Sequence, residues 1–177
     1  ACIVPLDAYY RDLSALTLEE RVRCNFDEPA AFDWPLLETH LDALARGQAI
    51  EMPAYDFAIH TRKPESVRVA PRRYIIVEGL LALWSEKLRA ISTLRMYVDL
   101  DPSRCLSRRE QRDVAERGRS VESVRKQFAQ TVAPMAERYV APTKRYADLI
   151  IRGDAPLRQS LHEVLERLNA SPSTSSF

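Results

Sequence analysis

The stretch from Arg108 to Arg119 contains the residue types of this sequence that most strongly suggest chemistry. It reads RREQRDVAERGR. Its arginines are Arg108, Arg109, Arg112, Arg117 and Arg119. Guanidinium groups bind phosphate through paired, charge-assisted hydrogen bonds. The interleaved Glu110, Asp113 and Glu116 also allow a solvated helix face whose charges offset one another. This segment alone therefore predicts either a polyanion site or a solvated helix.

Two carboxylates follow strand-like runs. Asp7 lies a few residues beyond the first run, and Glu78 ends the apolar run 74–77 and precedes Gly79. Ligands of open α/β sheets bind at the carboxyl ends of strands, where a carboxylate can hold Mg²⁺ or accept a proton. The alternatives are a turn aspartate for Asp7 and a buried glutamate–arginine pair for Glu78. Together the two residues predict a site for one metal and one hydroxyl nucleophile.

The loop YDFAIHTRKPE carries aromatic rings. Alternation along a short strand places Tyr55 and Phe57 on one side, and His60 could donate to a heterocycle stacked on their rings. A nucleobase suits such a pocket, but a hydrophobic cluster with one satisfied histidine is the alternative. Phe26 and Asp27 add a ring and a carboxylate that could accept bonds from vicinal hydroxyls, unless Phe26 only anchors its loop.

Composition limits the classes of protein that remain. The chain has 177 residues, 46% of them hydrophobic, which predicts one domain with a full core. A net charge of +1 excludes the global basic field of a dedicated nucleic-acid binder, so we expect no nucleic-acid polymer as partner. No signal peptide or membrane span is visible, and Cys2, Cys24 and Cys105 have no metal-ligand spacing. We therefore expect a soluble, cytoplasmic protein with reduced thiols and no membrane partner.

Strand-like and helix-like runs alternate along the chain. This order predicts an α/β fold with a mainly parallel sheet, in which the continuously apolar run 74–77 is a central strand buried on both faces. Short extended pieces around residues 50–70 predict a small antiparallel excursion. The other strands are expected at 1–4, 94–99 and 148–151.

Capping residues mark the expected helix boundaries. The residues predicted to begin helices are Thr17 (in a capping box with Glu20), Asp33, Asp101 (followed by Pro102) and Ser120. Gly47 and Gly118 are expected to end two of them, and Pro134 should bend or break the fourth. A last helix is expected over 156–168. The domain is expected to cover residues 1–170, followed by a disordered tail at 171–177.

One motif for phosphate binding is not found in these residues. The four glycines, Gly47, Gly79, Gly118 and Gly153, are too far apart to form the loop G-x-x-x-x-G-K-[ST].

The motifs together resemble the uridine kinase (uridine/cytidine kinase) family, which belongs to the P-loop nucleoside kinases and is related to phosphoribulokinases. The resemblance covers nearly the whole chain in the right order. The matching segments are DAYYRDLS, NFDEPAAFDW, PAYDFAIHTR, IIVEGLLAL, SRREQRDVAERGRSVESV and PTKRYADLIIRG.

The resemblance implies a three-layer P-loop kinase-like fold and a phosphotransferase activity. Members transfer the γ-phosphate of ATP or GTP, with Mg²⁺, to the 5'-hydroxyl of uridine or cytidine, giving UMP or CMP in pyrimidine salvage. They often form tetramers, so the resemblance implies a homotetramer. A related kinase with another sugar or vitamin acceptor is less compatible with the YDFAIH loop, because a pocket built for a pyrimidine would leave polar groups unpaired.

The resemblance also implies roles for single residues. Asp7 would be the catalytic base, and Asp7 with Glu78 would hold the metal. The implied substrate-binding residues are Tyr10, Phe26, Asp27, Tyr55, Phe57, His60, Arg109 and Gln127. The residues implied to lie at the donor phosphates, in a mobile lid, are Arg112, Arg117 and Arg119. Arg108 matches no functional position and is expected on the surface.

The chain also departs from the family pattern. Leu6 and Ala8 stand where the family usually has Gln and Ser. The family's first strand, phosphate loop and following helix precede the point where this sequence starts, which predicts an unpaired edge on the strand ending at Glu78 and abnormal donor binding. A second hypothesis is therefore a truncated or degenerate relative that binds a pyrimidine nucleoside, or a kinase subunit, without transferring phosphate.

Overall fold

Parallel strand pairs form the framework of the chain, whose computed structural model describes residues 1–170. The strands are β1 (Cys2–Pro5), β2 (Ile50–Asp56), β3 (Thr61–Val69), β4 (Ile75–Glu78), β5 (Met96–Asp99) and β6 (Leu149–Arg152). The pairs β1–β4 and β5–β6 are parallel, and the pair β2–β3 is antiparallel. The predicted α/β class, with its parallel strands and small antiparallel excursion, is confirmed. The predicted tail, 171–177, lies outside the described residues.

Helices connect these strands. They are α1 (Leu18–Val22), α2 (Trp34–Ala45), α3 (Glu86–Ile91), α4 (Pro102–Arg117), α5 (Val121–Gln127), α6 (Ala133–Met135) and α7 (Leu157–Ala170). Short 3₁₀ helices cover Leu6–Tyr9, Pro29–Ala31 and Ala141–Tyr146.

The predicted helix caps are confirmed. Thr17 and Glu20 form a reciprocal capping box before α1. The side chains of Asp33, Asp101 and Ser120 accept backbone N–H groups at the starts of α2, α4 and α5. These bonds satisfy donors that the first turn of a helix leaves without partners.

The α-helical hydrogen-bond pattern is interrupted around Pro134, as predicted, although the chain does not leave the helical conformation there. The chain stays helical from Val121 to Val140, with π-helical turns at Phe128–Val132 and Ala136–Val140 on either side of α6. The wider i→i+5 turns accommodate Pro134, which donates no backbone hydrogen bond.

The core lies between the β1–β4 pair and α2. Val4 of β1 is fully buried, as is Leu37 of α2. Leu41, Leu44, Leu81 and Leu88 belong to the same cluster. The spacing of the α2 leucines at three and four residues aligns them on one helix face, which is the face that packs on the sheet.

The prediction that the strand 74–77 is buried on both faces is wrong for the described residues. Ile76 is 42% exposed and its register partner Ile3 on β1 is 59% exposed. Within residues 1–170, β4 pairs with β1 and with no second strand. The continuous apolar run indicates a strand suited to burial on two faces, whereas the described elements cover one.

None of the helices described over residues 1–170 has the length and apolar character needed to cross a membrane. The three cysteines are free thiols.

Candidate active site

Asp7 and Glu78 lie at the same end of the β1–β4 pair. Glu78 is the register partner of Pro5, and Asp7 follows two residues later in the 3₁₀ helix Leu6–Tyr9. Burial, and then the charge of Asp7, raises the pKa of the Glu78 carboxyl above its ordinary value. Two acidic groups that repel each other at a strand end suit a bound cation or a proton acceptor.

Gly79 allows the chain to leave β4 beside Asp7. Its φ of +147° is a conformation that side chains rarely adopt, and a Cβ there would lie 2.5 Å from the Cβ of Leu6. Leu6 is fully buried and Ala8 is nearly so. The two residues that depart from the family pattern therefore pack in the core, and Leu6 requires a glycine after Glu78.

Asp27 lies close enough to both Asp7 and Arg109 for their charges to act on its carboxylate. Burial raises the pKa of Asp27, the charge of Arg109 lowers it, and the charge of Asp7 raises it. Burial also lowers the pKa of Arg109, while the charge of Asp27 opposes that shift. The structure thus brings a carboxylate from the loop after α1 and a guanidinium from α4 to one half-buried site.

Five rings gather beside these charges: Tyr10, Phe26, Tyr55, Phe57 and His60. The Tyr10 centroid lies 5.3 Å from that of Phe26 and 5.1 Å from that of Tyr55. His60 stacks on Phe26 at 5.2 Å, and Phe57 meets Tyr55 edge-on at 5.2 Å. The side chain of Tyr10 also hydrogen-bonds to Asp7, and burial raises the pKa of its hydroxyl, so Tyr10 is the donor. The predicted ring loop therefore touches the carboxylate site.

A tight hairpin presents the ring loop. β2 extends to Asp56 and β3 begins at Thr61, so the connecting turn is shorter than the sequence patterns indicated. His60 takes a left-handed conformation, with φ of 52°. Arg62 then fixes the hairpin to the site, because its Nε donates to the Tyr10 carbonyl at 2.8 Å and its Nη2 to Asp33 at 3.1 Å.

Two buried polar atoms at this site have no hydrogen-bond partner in the described part of the chain: Tyr55 Oη and Arg109 Nε. Tyr55 is 9% exposed, and burial raises the pKa of its hydroxyl. A buried polar atom without a partner costs about 1–3 kcal/mol, so such atoms commonly mark a place for a ligand or water. Both atoms belong to residues that the sequence motifs had singled out.

The arginines of α4 and the following turn surround Asp113. Arg112 Nη2 lies 2.8 Å from its carboxylate, Arg119 Nη1 3.5 Å and Arg109 Nε 3.6 Å. Arg109 and Arg119 also donate to Gln127 Oε1, at 3.2 and 2.6 Å. The side chain of Arg117 lies outside the described part of the structure. The residues expected at the ribose and at the phosphates thus form one connected cluster.

Sequence reasoning missed two members of this arrangement. Asp113 looked like one of several acidic residues on a solvated face, but its side chain is fully buried among arginines. Arg62 carried no signal beyond its place directly after the ring loop. Arg108 is exposed as expected, and donates to the Gly153 carbonyl at 2.9 Å.

The acidic groups are compatible with Mg²⁺. The described residues contain no group of three or more His, Cys, Asp or Glu side chains arranged to hold a metal. Mg²⁺ bound with nucleotides commonly takes one or two carboxylates, substrate phosphates and waters. Asp7 and Glu78, at the same end of the β1–β4 pair, are the two carboxylates that would hold it.

Comparisons with known proteins agree with this arrangement. Residues 2–155 match the family model described as "Phosphoribulokinase / Uridine kinase family". A protein named uridine kinase from Halobacterium salinarum is 50% identical over 151 residues, covering 85% of this chain and 67% of the relative. A protein of the same name from Chloroflexus aggregans is 48% identical over 165 residues, covering 93% and 79%.

A solved structure supports the fold alone. The protein, from Silicibacter sp. TM1040, is provisionally described as a fructose transport system kinase. It superposes with a TM-score of 0.60 at 22% identity, covering 84% of this chain and 73% of its own. With a family model matched over most of its length, the chain belongs to the phosphoribulokinase/uridine kinase family.

Proposed function

We propose that this protein is a nucleoside kinase that transfers the γ-phosphate of ATP or GTP to the 5'-hydroxyl of uridine or cytidine, giving UMP or CMP. The observation that carries this proposal is the convergence of Asp7, Asp27 and Glu78 with a ring cluster that contains a buried, unpartnered hydroxyl at Tyr55. Family membership and relatives named uridine kinase support the same reaction class.

In this proposal the nucleoside lies between the rings and the carboxylates. The pyrimidine packs among Tyr55, Phe57, His60, Phe26 and Tyr10. Tyr55 Oη and the His60 ring then supply hydrogen bonds to the polar edge of the base. A base with a polar edge satisfies the hydroxyl that otherwise stays unpaired, which favours a nucleobase over a purely apolar ligand.

Asp27 accepts hydrogen bonds from the ribose hydroxyls, and Arg109 orients that carboxylate from the other side. The Arg109 guanidinium makes one hydrogen bond among the described residues, from Nη2 to Gln127, so it has further donors for a ribose or phosphate oxygen. Gln127, whose Oε1 accepts hydrogen bonds from Arg109 and Arg119, lies at the edge of the pocket. The sugar is thereby held so that its 5'-hydroxyl points to Asp7.

Asp7 accepts the proton of the 5'-hydroxyl as that oxygen attacks the γ-phosphorus. The bond between the γ-phosphorus and the β–γ bridging oxygen breaks, and ADP or GDP leaves. The hydrogen bond from Tyr10 fixes the orientation of the carboxylate. Asp7 and Glu78 would hold Mg²⁺, which neutralises charge on the phosphates when bound. Arg112, Arg117 and Arg119 would bind the transferring phosphate and its neighbours, because planar cations stabilise charge on equatorial oxygens.

Uridine phosphorylation by the full-length protein tests this proposal, with Asp7→Asn as the informative variant. Asparagine keeps the shape but cannot take the proton, so we expect kcat to fall by about 10²–10⁴-fold while calorimetry still detects uridine binding. Asp42→Asn, which alters an exposed carboxylate 3.6 Å from Lys87, should turn over like the wild type. A wild-type protein that fails to phosphorylate uridine, or an Asp7→Asn enzyme of normal kcat, contradicts the proposal.

A further inference from the structure

Asp113 is a buried ionisable group that the proposed reaction does not use. Its side chain is 0% exposed, whereas those of the arginines around it are 21%, 44% and 30% exposed for Arg109, Arg112 and Arg119. The carboxylate therefore lies beneath the guanidinium groups, with the arginines between it and solvent. A lone buried carboxylate is costly, so these contacts must be built into the fold.

The number of arginines exceeds what one carboxylate needs for neutralisation. Each guanidinium carries five N–H donors, and a carboxylate offers about four acceptor sites. Arg112 alone makes two contacts with Asp113 Oδ1, from Nε at 2.9 Å and from Nη2 at 2.8 Å. Most donors of the cluster therefore remain for another acceptor, and one of them, Arg109 Nε, is buried with no hydrogen bond and only a 3.6 Å contact with Asp113.

Asp113 also fixes the turn that returns Arg119 to the cluster. Its backbone carbonyl accepts the N–H of Gly118, which has a left-handed φ of 62°, and the N–H of Arg119 at 3.1 Å. The chain reverses at Gly118, so Arg119 comes back beside α4 within reach of the Asp113 carboxylate. One residue thus sets both the path of the backbone and the positions of the cations.

Electrostatics explains why such an anchor is needed. Guanidinium groups that converge on one point repel each other, and without an anion between them they move apart toward solvent. A buried carboxylate offsets that repulsion before any ligand arrives, so the donors are already oriented when an anion binds. Burying a carboxylate among arginines costs desolvation free energy. Such an arrangement is therefore expected where the arginines bind an anionic ligand.

We propose that Asp113 is a positioning residue, whose buried carboxylate holds Arg109, Arg112 and Arg119 in the geometry that binds the transferred phosphate, on the donor nucleotide and on the UMP or CMP product. This inference rests on the proposed function, since it takes the nucleotide phosphate as the anion. It adds to that function a residue that touches no reacting atom but decides how tightly the phosphate is bound.

The test compares Asp113→Asn with Glu110→Gln. Glu110 lies on the same helix and pairs with Arg125 at 2.7 Å, so its substitution removes a carboxylate–arginine pair outside the cluster. The first measurement is the arginine Nε–H region of the ¹H–¹⁵N NMR spectrum of the free protein. We expect the Arg112 Nε–H signal to be protected from solvent exchange in the wild type and in Glu110→Gln, and lost in Asp113→Asn. An unchanged, protected signal in Asp113→Asn would overturn the positioning role.

The second measurement is the ratio of the dissociation constants for uridine and UMP, which isolates the contribution of the phosphate. Asp113→Asn should lower this preference for UMP by about tenfold or more, as expected when charge-assisted hydrogen bonds lose their geometry. Glu110→Gln should keep the wild-type ratio. A role in stability alone would weaken uridine and UMP equally, and an unchanged or increased preference for UMP in Asp113→Asn contradicts the proposal.

A second variant covers the case in which Asp113→Asn does not fold. Asp113→Glu keeps the charge and moves the carboxylate by one methylene, so it tests position at constant charge. The proposal expects a reduced preference for UMP here too, and a wild-type preference contradicts it. If the wild-type protein binds neither uridine nor UMP, the proposed function fails, while the NMR signals still decide whether Asp113 holds the arginines.

Discussion

At the scale of single residues, the candidate site is defined by polar atoms that the fold buries without pairing. Tyr55 Oη and Arg109 Nε are both buried without a hydrogen bond to the described residues, and Arg109 Nε has only a longer ionic contact, 3.6 Å, with Asp113. Tyr55 packs against Tyr10 and Phe57, so its ring is held while its hydroxyl is unsatisfied. This combination is expected where binding, rather than folding, supplies the partner.

The substitution Tyr55→Phe separates the contribution of the Tyr55 hydroxyl to ligand binding from its contribution to folding. The substitution removes an unpaired buried hydroxyl, so thermal unfolding should show an unchanged or raised Tm. The same change should weaken uridine binding by about three- to tenfold, because one hydrogen bond to the base is lost. Tyr74→Phe, at a 46% exposed tyrosine directly before β4, serves as the matched control and should alter neither quantity. Lower stability with unchanged affinity for uridine would mean that Tyr55 Oη serves the fold.

At the scale of elements, the sequence predicted where helices begin, because a helix cap depends on hydrogen bonds between residues close together in the chain. Thr17, Asp33, Asp101 and Ser120 cap helices because their side chains reach backbone donors two or three residues ahead, which a sequence displays directly. The accommodation of Pro134 by π turns was not predictable, because it depends on how the long helical segment packs. The burial of Asp113 was equally hidden, since charge patterns do not indicate which face of α4 meets its neighbours.

The Arg95–Asp148 pair illustrates an element-scale contact with a measurable consequence. Asp148 lies directly before β6, and Arg95 lies directly before β5. The Asp148 carboxylate accepts three hydrogen bonds from Arg95: from Nε at 2.9 Å, from Nη2 at 2.7 Å and from the backbone N–H at 2.9 Å. The side-chain hydrogen bonds from Arg95 lower the pKa of Asp148 from 3.8 to about 2. The pair therefore joins the two parallel strands where they begin.

The stability supplied by this pair should depend on acid. A carboxyl whose pKa is lower in the folded state contributes stability that is fully present above its unfolded pKa of 3.8 and is lost as the pH falls toward about 2. Asp148→Asn should lower the Tm at neutral pH and flatten the loss of stability across that acidic window. Asp42→Asn, at an exposed pair, should keep the wild-type acid dependence. Identical pH profiles for wild type and Asp148→Asn would show that the pair does not link β5 to β6.

At the scale of the whole molecule, the site is assembled from segments spread along the chain. Asp7 and Glu78 lie at one end of the β1–β4 pair, and Asp27, Tyr55 and Arg109 come from other loops and elements to lie near Asp7 or Asp27. The order of motifs in the sequence was sufficient to predict this gathering through the family resemblance. Composition and periodicity alone left each residue with an equally ordinary structural alternative.

The burial of β4 was the feature of the whole fold that the sequence pattern predicted wrongly. The apolar run of β4 predicts burial on two faces, yet Ile3 and Ile76 are exposed on one of them. The apolar side chains of β4 suit burial on both faces of the strand. Whether each face is buried depends on the elements that pack against it. The ring and carboxylate cluster lies at the carboxyl end of these same strands.

Calorimetric titration of uridine and 2'-deoxyuridine, into the wild type and into Asp27→Asn, tests the central claim most directly. If Asp27 receives the ribose hydroxyls, the wild type should bind uridine about tenfold or more tightly than 2'-deoxyuridine, because a hydrogen bond to a charged group is lost. Asp27→Asn should weaken uridine binding and remove most of that difference. A wild-type protein that does not bind uridine, or an Asp27→Asn variant that keeps both the affinity and the preference for uridine, would contradict the account.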